Sequence, residues 1–216
     1  MPRQRKEFRR RTGLRDSSLV VIATEGEKTE GKYFKGLIAE ERFHTNRFHL
    51  EILPSKDGKS APKYVIEALD DFKREYRIRE DDQLWIIIDR DFRSWSVKQL
   101  ANAKQLCKQK GFYFGISNPC FEIWIILHFA DISSLSDLEK EEIRNNAKQG
   151  SRTKCDQMIL EELGHYNKSN PGFGSLFPKL DDAIRNAKIL TNNNTADLFN
   201  HIGTNIFVLV EGLALA

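Results

Sequence analysis

Leu84 to Asp91 reads LWIIIDRD, and the reading of this stretch decides the fold. Trp85, Ile86, Ile87 and Ile88 are fenced by Asp81, Asp82 and Gln83 on one side and by Asp89, Arg90 and Asp91 on the other. A short apolar run bounded in this way is the pattern of a strand buried on both faces of a parallel sheet. Side chains alternate along a strand, so Asp89 and Asp91, if both extended, project to one side about 6 to 7 Å apart at Cα. Like charges beside an apolar strand raise each other's pKa unless a cation or a donor offsets them. The pair is either a strand end that caps a loop or the beginning of a site.

Working outward, Ser18 to Ala23 (SLVVIA) is a second buried strand, running into Thr24, Glu25, Gly26 and Glu27. The pattern then turns helical from Lys28 to about Arg42, with Tyr33, Phe34, Leu37 and Ile38 as one stripe. Phe48 to Leu53 alternates as a strand, and Pro54 to Ser60 is a polar loop. Pro62 opens a helix carrying Tyr64, Val65, Ala68, Leu69, Phe72 and Tyr76. Ser96 to Lys110 is a helix ended by Gly111, and Phe112 to Ile116 is a fourth strand. Strands alternating with helices imply right-handed βαβ units: a mostly parallel sheet of about four strands with helices on both faces. Ligands bind such α/β sheets beyond the carboxyl ends of the strands, where the winding reverses. Glu25/Glu27 and Asp89/Asp91 both fall at carboxyl ends.

Ser117, Asn118 and Pro119 precede a very apolar helix, Phe121 to Phe129, which Asn118 or Ser117 is expected to cap. Glu122 is either a fifth acid near the site or a complement to the helix dipole. Beyond Ala130 no strand is evident. Helices are expected over Asp137 to Lys148, opened by a capping box of Ser136 and Glu139, then Ser151 to Leu163, Phe177 to Leu190 and Asn205 onward, with Tyr166 to Gly174 as a loop. The expected organisation is a flexible basic arm (1–16), an α/β domain (17–130) and a helical appendage packed on it (131–216).

The chain has 216 residues, 40% hydrophobic and 30% charged, enough for one α/β core with an appendage. No segment has the length and apolarity of a membrane span or signal peptide, so a cytoplasmic protein is expected. Cys107, Cys120 and Cys155 are widely spaced, which favours reduced thiols over disulfides or a zinc site. The five histidines show no ligand spacing and read as packing or surface residues. Net charge is only +3, yet Arg3, Arg5, Lys6, Arg9, Arg10, Arg11 and Arg15 crowd the first fifteen residues against Glu7. Such an arm suits phosphate contacts with nucleic acid, Arg9, Arg10, Arg11 and Arg15 being the candidates; a solubilising tail is the other reading.

Gly26 to Lys32 (GEKTEGK) satisfies the phosphate-loop pattern GxxxxGK, but Tyr33 stands where a magnesium-binding hydroxyl belongs. Glu25, Glu27 and Glu30 would also repel the phosphates. The acids themselves are the better clue. Glu25, Asp89 and Asp91 at adjacent strand ends offer hard oxygen ligands for one or two Mg²⁺ or Mn²⁺ ions. Ions so held activate water and stabilise an in-line phosphodiester displacement.

A strand ending in Glu25-Gly26 and another ending in Asp89-x-Asp91 resemble the Toprim domain of topoisomerases, primases and several nucleases. More narrowly, TEGEKTEGKYFKGL (Thr24 to Leu37), DRD (Asp89 to Asp91) and SNPCFEIWIILHF (Ser117 to Phe129) resemble the RloB-like family, and HYNKSNP and AIRNAKIL fit it too. The likeness runs from Arg9 onward. It implies a Toprim-like (Rossmann-like) fold and a metal site, in proteins of bacterial antiviral defence loci often encoded beside an ATPase. By that resemblance Glu25, Asp89 and Asp91 are metal ligands, while Glu27, Lys28, Glu30, Asn118 and Glu122 are family-typical. Lys28 either holds a scissile phosphate or pairs with an acidic neighbour. Gly31 departs from the proline expected there. The chain has no room for a topoisomerase's tyrosine domain or a primase's template modules. The leading expectation is a divalent-metal nuclease acting on DNA or RNA as a defence effector. The alternative is a non-catalytic module that binds nucleic acid or the ATPase, and nucleotide hydrolysis is a third reading.

Overall fold

The computed structural model describes residues 5–9, 17–26, 28–43, 47–53, 61–91, 94–168 and 171–215. Its centre is LWIIIDRD. Strand β3 (Gln83–Asp89) lies between β1 (Ser18–Thr24) and β4 (Tyr113–Asn118), and β2 (Phe48–Leu53) flanks β1, all four parallel. Register sets Ile22 beside Trp85 and Thr24 beside Ile87, and on the other side Asp89 beside Ser117. Both strand ends thus reach the same edge.

The period of two divides the core. Leu19, Val21, Ala23, Leu84, Ile86 and Ile88 face helices α2 (Pro62–Glu75) and α3 (Val97–Lys110). Val20, Ile22, Trp85 and Ile87 face the opposite way, toward α1 (Thr29–Leu37) and the helices of the C-terminal half. A strand hydrophobic on both faces is required because both are covered. Asp82, one of the fencing acids, ties β1 to the turn before β3: its carboxylate accepts from the Leu19 N–H at 2.7 Å and the Arg79 N–H at 2.8 Å.

The α3 ends are as the sequence dictates. Ser96 and Gln99 form a reciprocal capping box, and Gly111 closes the helix at φ 74°. Elsewhere the structure departs from expectation. α1 ends at Leu37, short of Arg42. Among the described residues the main sheet has five strands, because β7 (Gly203–Thr204) joins β4 antiparallel. Two residues give no readable alternation. A second small sheet, the hairpin β5 (Lys148–Gln149) and β6 (Arg152–Thr153), separates α5 (Asp137–Asn145) from α6 (Lys154–Leu163), where two longer helices were expected. Gly150, at φ 67°, makes the turn.

The remaining helices are α4 (Glu122–Ile126), α7 (Leu180–Leu190) and α8 (Ile206–Leu215). Ile123, Trp124, Ile125 and Ile126 are fully buried in one cluster with Ile159, Ala183, Ala187 and Val210, so α4 is the hub on which the C-terminal half packs. Asn118 does not cap it: no side chain caps α4, and Asn118 ends β4 with its amide donating to the Leu198 and His201 carbonyls. Those bonds hold the segment before β7 against the sheet. Residues 5–9 do not form a free arm. Lys6 bridges Tyr76, and Phe8 packs on Phe72 and Tyr76 at centroid distances of 5.4 and 5.2 Å. An apolar ring in a basic segment finds an apolar surface. Among the described residues no helix is long and apolar enough to cross a membrane.

Candidate functional site

The connections from β1 and β3 depart in opposite directions. β1 leads through α1 to β2 on one side, and β3 leads through α3 to β4 on the other, with α1 and α3 on opposite faces. The crevice between the carboxyl ends of β1 and β3 is therefore the point where the winding reverses. Glu25 and Asp89 stand there.

Glu25 follows β1. Its N–H donates to the Ile87 carbonyl at 3.0 Å, and its Oε2 accepts from the Asp89 N–H at 3.2 Å. Burial pushes the Glu25 carboxyl up to about 7. The Asp89 N–H and the Trp95 side chain favour its charged form, but not enough to offset burial, and the charges of Glu30 and Asp91 add to the rise. The Trp95 indole nitrogen is buried without a hydrogen bond of good geometry.

Asp89 ends β3 and accepts from the Phe121 N–H at 2.9 Å through Oδ1. Burial holds its carboxyl well above the usual range, and Glu30, Glu122 and Glu25 push the same way. Glu30 is buried on the first turn of α1, and its Oε1 accepts from the Gly26 N–H at 3.2 Å. Its proton affinity is likewise raised, first by burial and then by Glu122. A Cβ on Gly26 would meet that carboxylate, so a side chain there would push the tip of Glu30 aside. The same contact weighs against the phosphate-loop reading of GEKTEGK, since the Gly26 amide already serves a carboxylate.

Asp91 is not extended. β3 stops at Asp89, and Asp91 has φ 25°, in a region L-residues seldom adopt. The two carboxylates do not follow the alternation of a strand. Asp91 is exposed, and its Oδ2 accepts from Ser94 Oγ at 2.5 Å. Between them Arg90 is buried and donates to the Phe199 and Trp95 carbonyls, each at 2.6 Å, which locks the loop. Backbone strain held by such a lock is common at functional positions.

Two clefts meet at Asp89. One, of about 800 Å³, has Glu25, Asp89, Asp91 and Ser94 facing Arg144 and Lys148. The other, of about 320 Å³, holds Glu30, Asp89 and Glu122 with Lys28 and Lys168. Glu122 is thus a member of the acid cluster. Its Oε1 accepts from Tyr166 OH at 3.0 Å and Lys168 Nζ at 2.8 Å. Lys168 also pairs with Asp156 at 3.3 Å. Burial alone would lower the Lys168 pKa, but Glu122 and Asp156 together raise it, so it stays protonated. Sequence reasoning placed Tyr166 and Lys168 only in a loop; HYNKSNP was the available signal.

Of the remaining candidates, Arg9 is exposed, and Glu27, Arg10, Arg11 and Arg15 lie outside the described residues. His128 is buried between Tyr33 OH at 3.0 Å and the Trp124 carbonyl at 2.9 Å, and burial lowers its pKa to about 4, as a packing histidine requires. Among the described residues no three His, Cys, Asp or Glu side chains converge in metal-ligand geometry. The carboxylates are gathered around Asp89 without being drawn onto one point.

The fold and site define a class: an α/β protein with buried carboxylates at the winding reversal of a parallel sheet. The chain belongs to the RloB-like protein family, whose match runs over residues 20–213, from within β1 to within α8. No curated protein and no solved structure matches it.

Proposed function

We propose that the protein is a divalent-metal-dependent nuclease, hydrolysing phosphodiester bonds of nucleic acid on a Toprim-like variant of the α/β fold. The observation that carries this reading is the gathering of Glu25, Glu30 and Asp89 around the two clefts that meet at Asp89, each with raised proton affinity. Carboxylates crowded in this way need a proton or a cation, and the hard oxygen donor set suits Mg²⁺ or Mn²⁺. Glu25, Asp89 and Asp91 are the residues that would hold it. A bound ion would supply activation of water and stabilisation of charge at the phosphorus oxygens. The chain's own groups do the rest. The Asp89 and Phe121 N–H groups fix the carboxylate orientations. Lys28, exposed and in the lining of the smaller cleft, would take a phosphate oxygen.

The likeness to the RloB-like family supports a role as the effector of a bacterial defence pair, with an ATPase as partner. Calorimetric titration of Mn²⁺ into the wild type and into Asp89→Ala/Asp91→Ala, followed by DNA and RNA cleavage on the same samples, tests the reading. Binding and cleavage that the double variant loses are expected. Intact wild type that neither binds metal in the presence of nucleic acid nor cleaves would leave the non-catalytic module as the better account.

A further inference from the structure

The larger cleft has a cationic wall that the C-terminal half supplies. Arg144 lies in the last turn of α5 and Lys148 begins the hairpin, across from Glu25, Asp89 and Asp91. The Arg144 pair with Glu141 at 2.9 Å is exposed on both sides, so a phosphate can replace that carboxylate. Lys148 is exposed and forms no ion pair among the described residues. The wall is held in place by Asn146. Its amide donates to Cys120 Sγ at 3.4 Å and accepts from the Cys155 N–H at 2.9 Å, fastening the hairpin to the loop after β4.

Past Ser94 the chain passes directly into a second concavity. Trp95, whose backbone N–H donates to the Asp91 carbonyl at 3.1 Å, lines a groove of about 590 Å³ between the start of α2 and the stretch of α3 from Gln99 to Leu106. Tyr64 lines it too, Ile66, Ala103 and Leu106 give it apolar surface, and Gln99 and Asn102 offer amides. Both helices start at the carboxyl edge of the sheet, so the groove opens beside the carboxylates. A charged channel for a backbone next to aromatic faces for bases is how proteins hold unpaired nucleic acid. Paired bases keep their faces stacked inside the helix.

We infer, resting on the phosphodiester reading above, that the substrate enters as a single strand. Its backbone lies between the carboxylates and the Arg144/Lys148 wall, and a base next to the scissile phosphate stacks on Trp95 in the α2/α3 groove.

The test uses the full chain with Ca²⁺, and labelled oligomers of about a dozen nucleotides. Unstructured single strands of DNA and of RNA are compared with their duplexes by fluorescence anisotropy, and tryptophan emission is followed with unlabelled strands. Trp85 and Trp124 are 3% and 0% exposed, so quenching by a stacked base reports on Trp95. Single strands are expected to bind at least about tenfold tighter than duplexes and to quench emission, and Trp95→Phe to abolish the quenching. Tyr64→Leu should weaken single strands by about tenfold, one stacked base's worth, and leave duplexes unchanged. Lys148→Glu, on the surface and so safe for folding, should weaken all strands and lower the salt slope by about one. Equal binding of strand and duplex without quenching overturns the inference while the nuclease reading stands. Binding of neither, at any salt, overturns both.

Discussion

Asp89 concentrates the site's physical cost. It is half-buried where the two clefts meet, and desolvation together with its acidic neighbours Glu30, Glu122 and Glu25 disfavours its charged form in the metal-free fold. Replacing it with asparagine keeps the acceptor for the Phe121 N–H and removes an ionisable group that its acidic neighbours disfavour. Asp89→Asn is therefore expected to raise metal-free stability at pH 8 by about 1–2 kcal/mol, or some 2–8 °C, while abolishing Mn²⁺ binding. Differential scanning fluorimetry and calorimetry read the two effects; a lower melting temperature would contradict the account. Glu25 gives a pH dependence with a definite sign. Its carboxyl is raised from the ordinary 4.5 to about 7, so between those values the folded state holds a proton that the unfolded state has lost. Stability from this group is present below about pH 4.5 and declines as pH rises through 7. Melting scans without metal should show falling stability from pH 5 to 8, and Mg²⁺ should stabilise more at pH 8 than at pH 5.5. A metal-free profile that rises over that range would be inconsistent with a desolvated, repelled Glu25. At this scale the sequence showed the acids but not their surroundings. Glu25 and Asp89 were legible because strand ends in α/β sheets face the ligand edge. The positive φ of Asp91 and the Lys168 bridge to Glu122 were not, since each depends on contacts distant in sequence.

Among the elements, β4 and α3 show how closely the site depends on packing. A Cβ at Gly115 would lie 3.1 Å from the Ile86 carbonyl oxygen and 3.2 Å from Ile206 Cδ1 and Ile87 Cγ1. β4 is thus sealed between its neighbour strand and α8, and Gly115→Val should cost about 1–3 kcal/mol by overpacking, read by urea unfolding. An unchanged midpoint would show that α8 has room to move. Ser96 caps α3 directly after Trp95. Ser96→Ala should cost about 1 kcal/mol. Long elements were read well because fourteen residues of α2 or α3 carry several turns of periodic signal. The two-residue strands β5, β6 and β7 carry none and exist only where a partner strand meets them.

For the whole molecule, the sheet face formed by Val20, Ile22, Trp85 and Ile87 is in one core with α4, α6, α7 and α8. A chain ending at Ala130 would expose the fully buried Trp124, Ile125 and Ile126 to water. Such a fragment is expected to be insoluble or to lack a cooperative unfolding transition, whereas the full chain unfolds cooperatively; a soluble, cooperatively folded 17–130 fragment would contradict this. The amino-acid sequence by itself determined the α/β class, the strand ends at which Glu25 and Asp89 stand, and the family, because apolar runs, helical stripes and motifs are local. Tertiary structure alone decided that Glu30 and Glu122 join Asp89, that Lys168 answers them, and that a hairpin beyond residue 145 forms the wall opposite the carboxylates. Those relations are made by side chains as far apart in sequence as Glu30 and Lys168, and no local pattern encodes the packing of α4 that brings them to one edge.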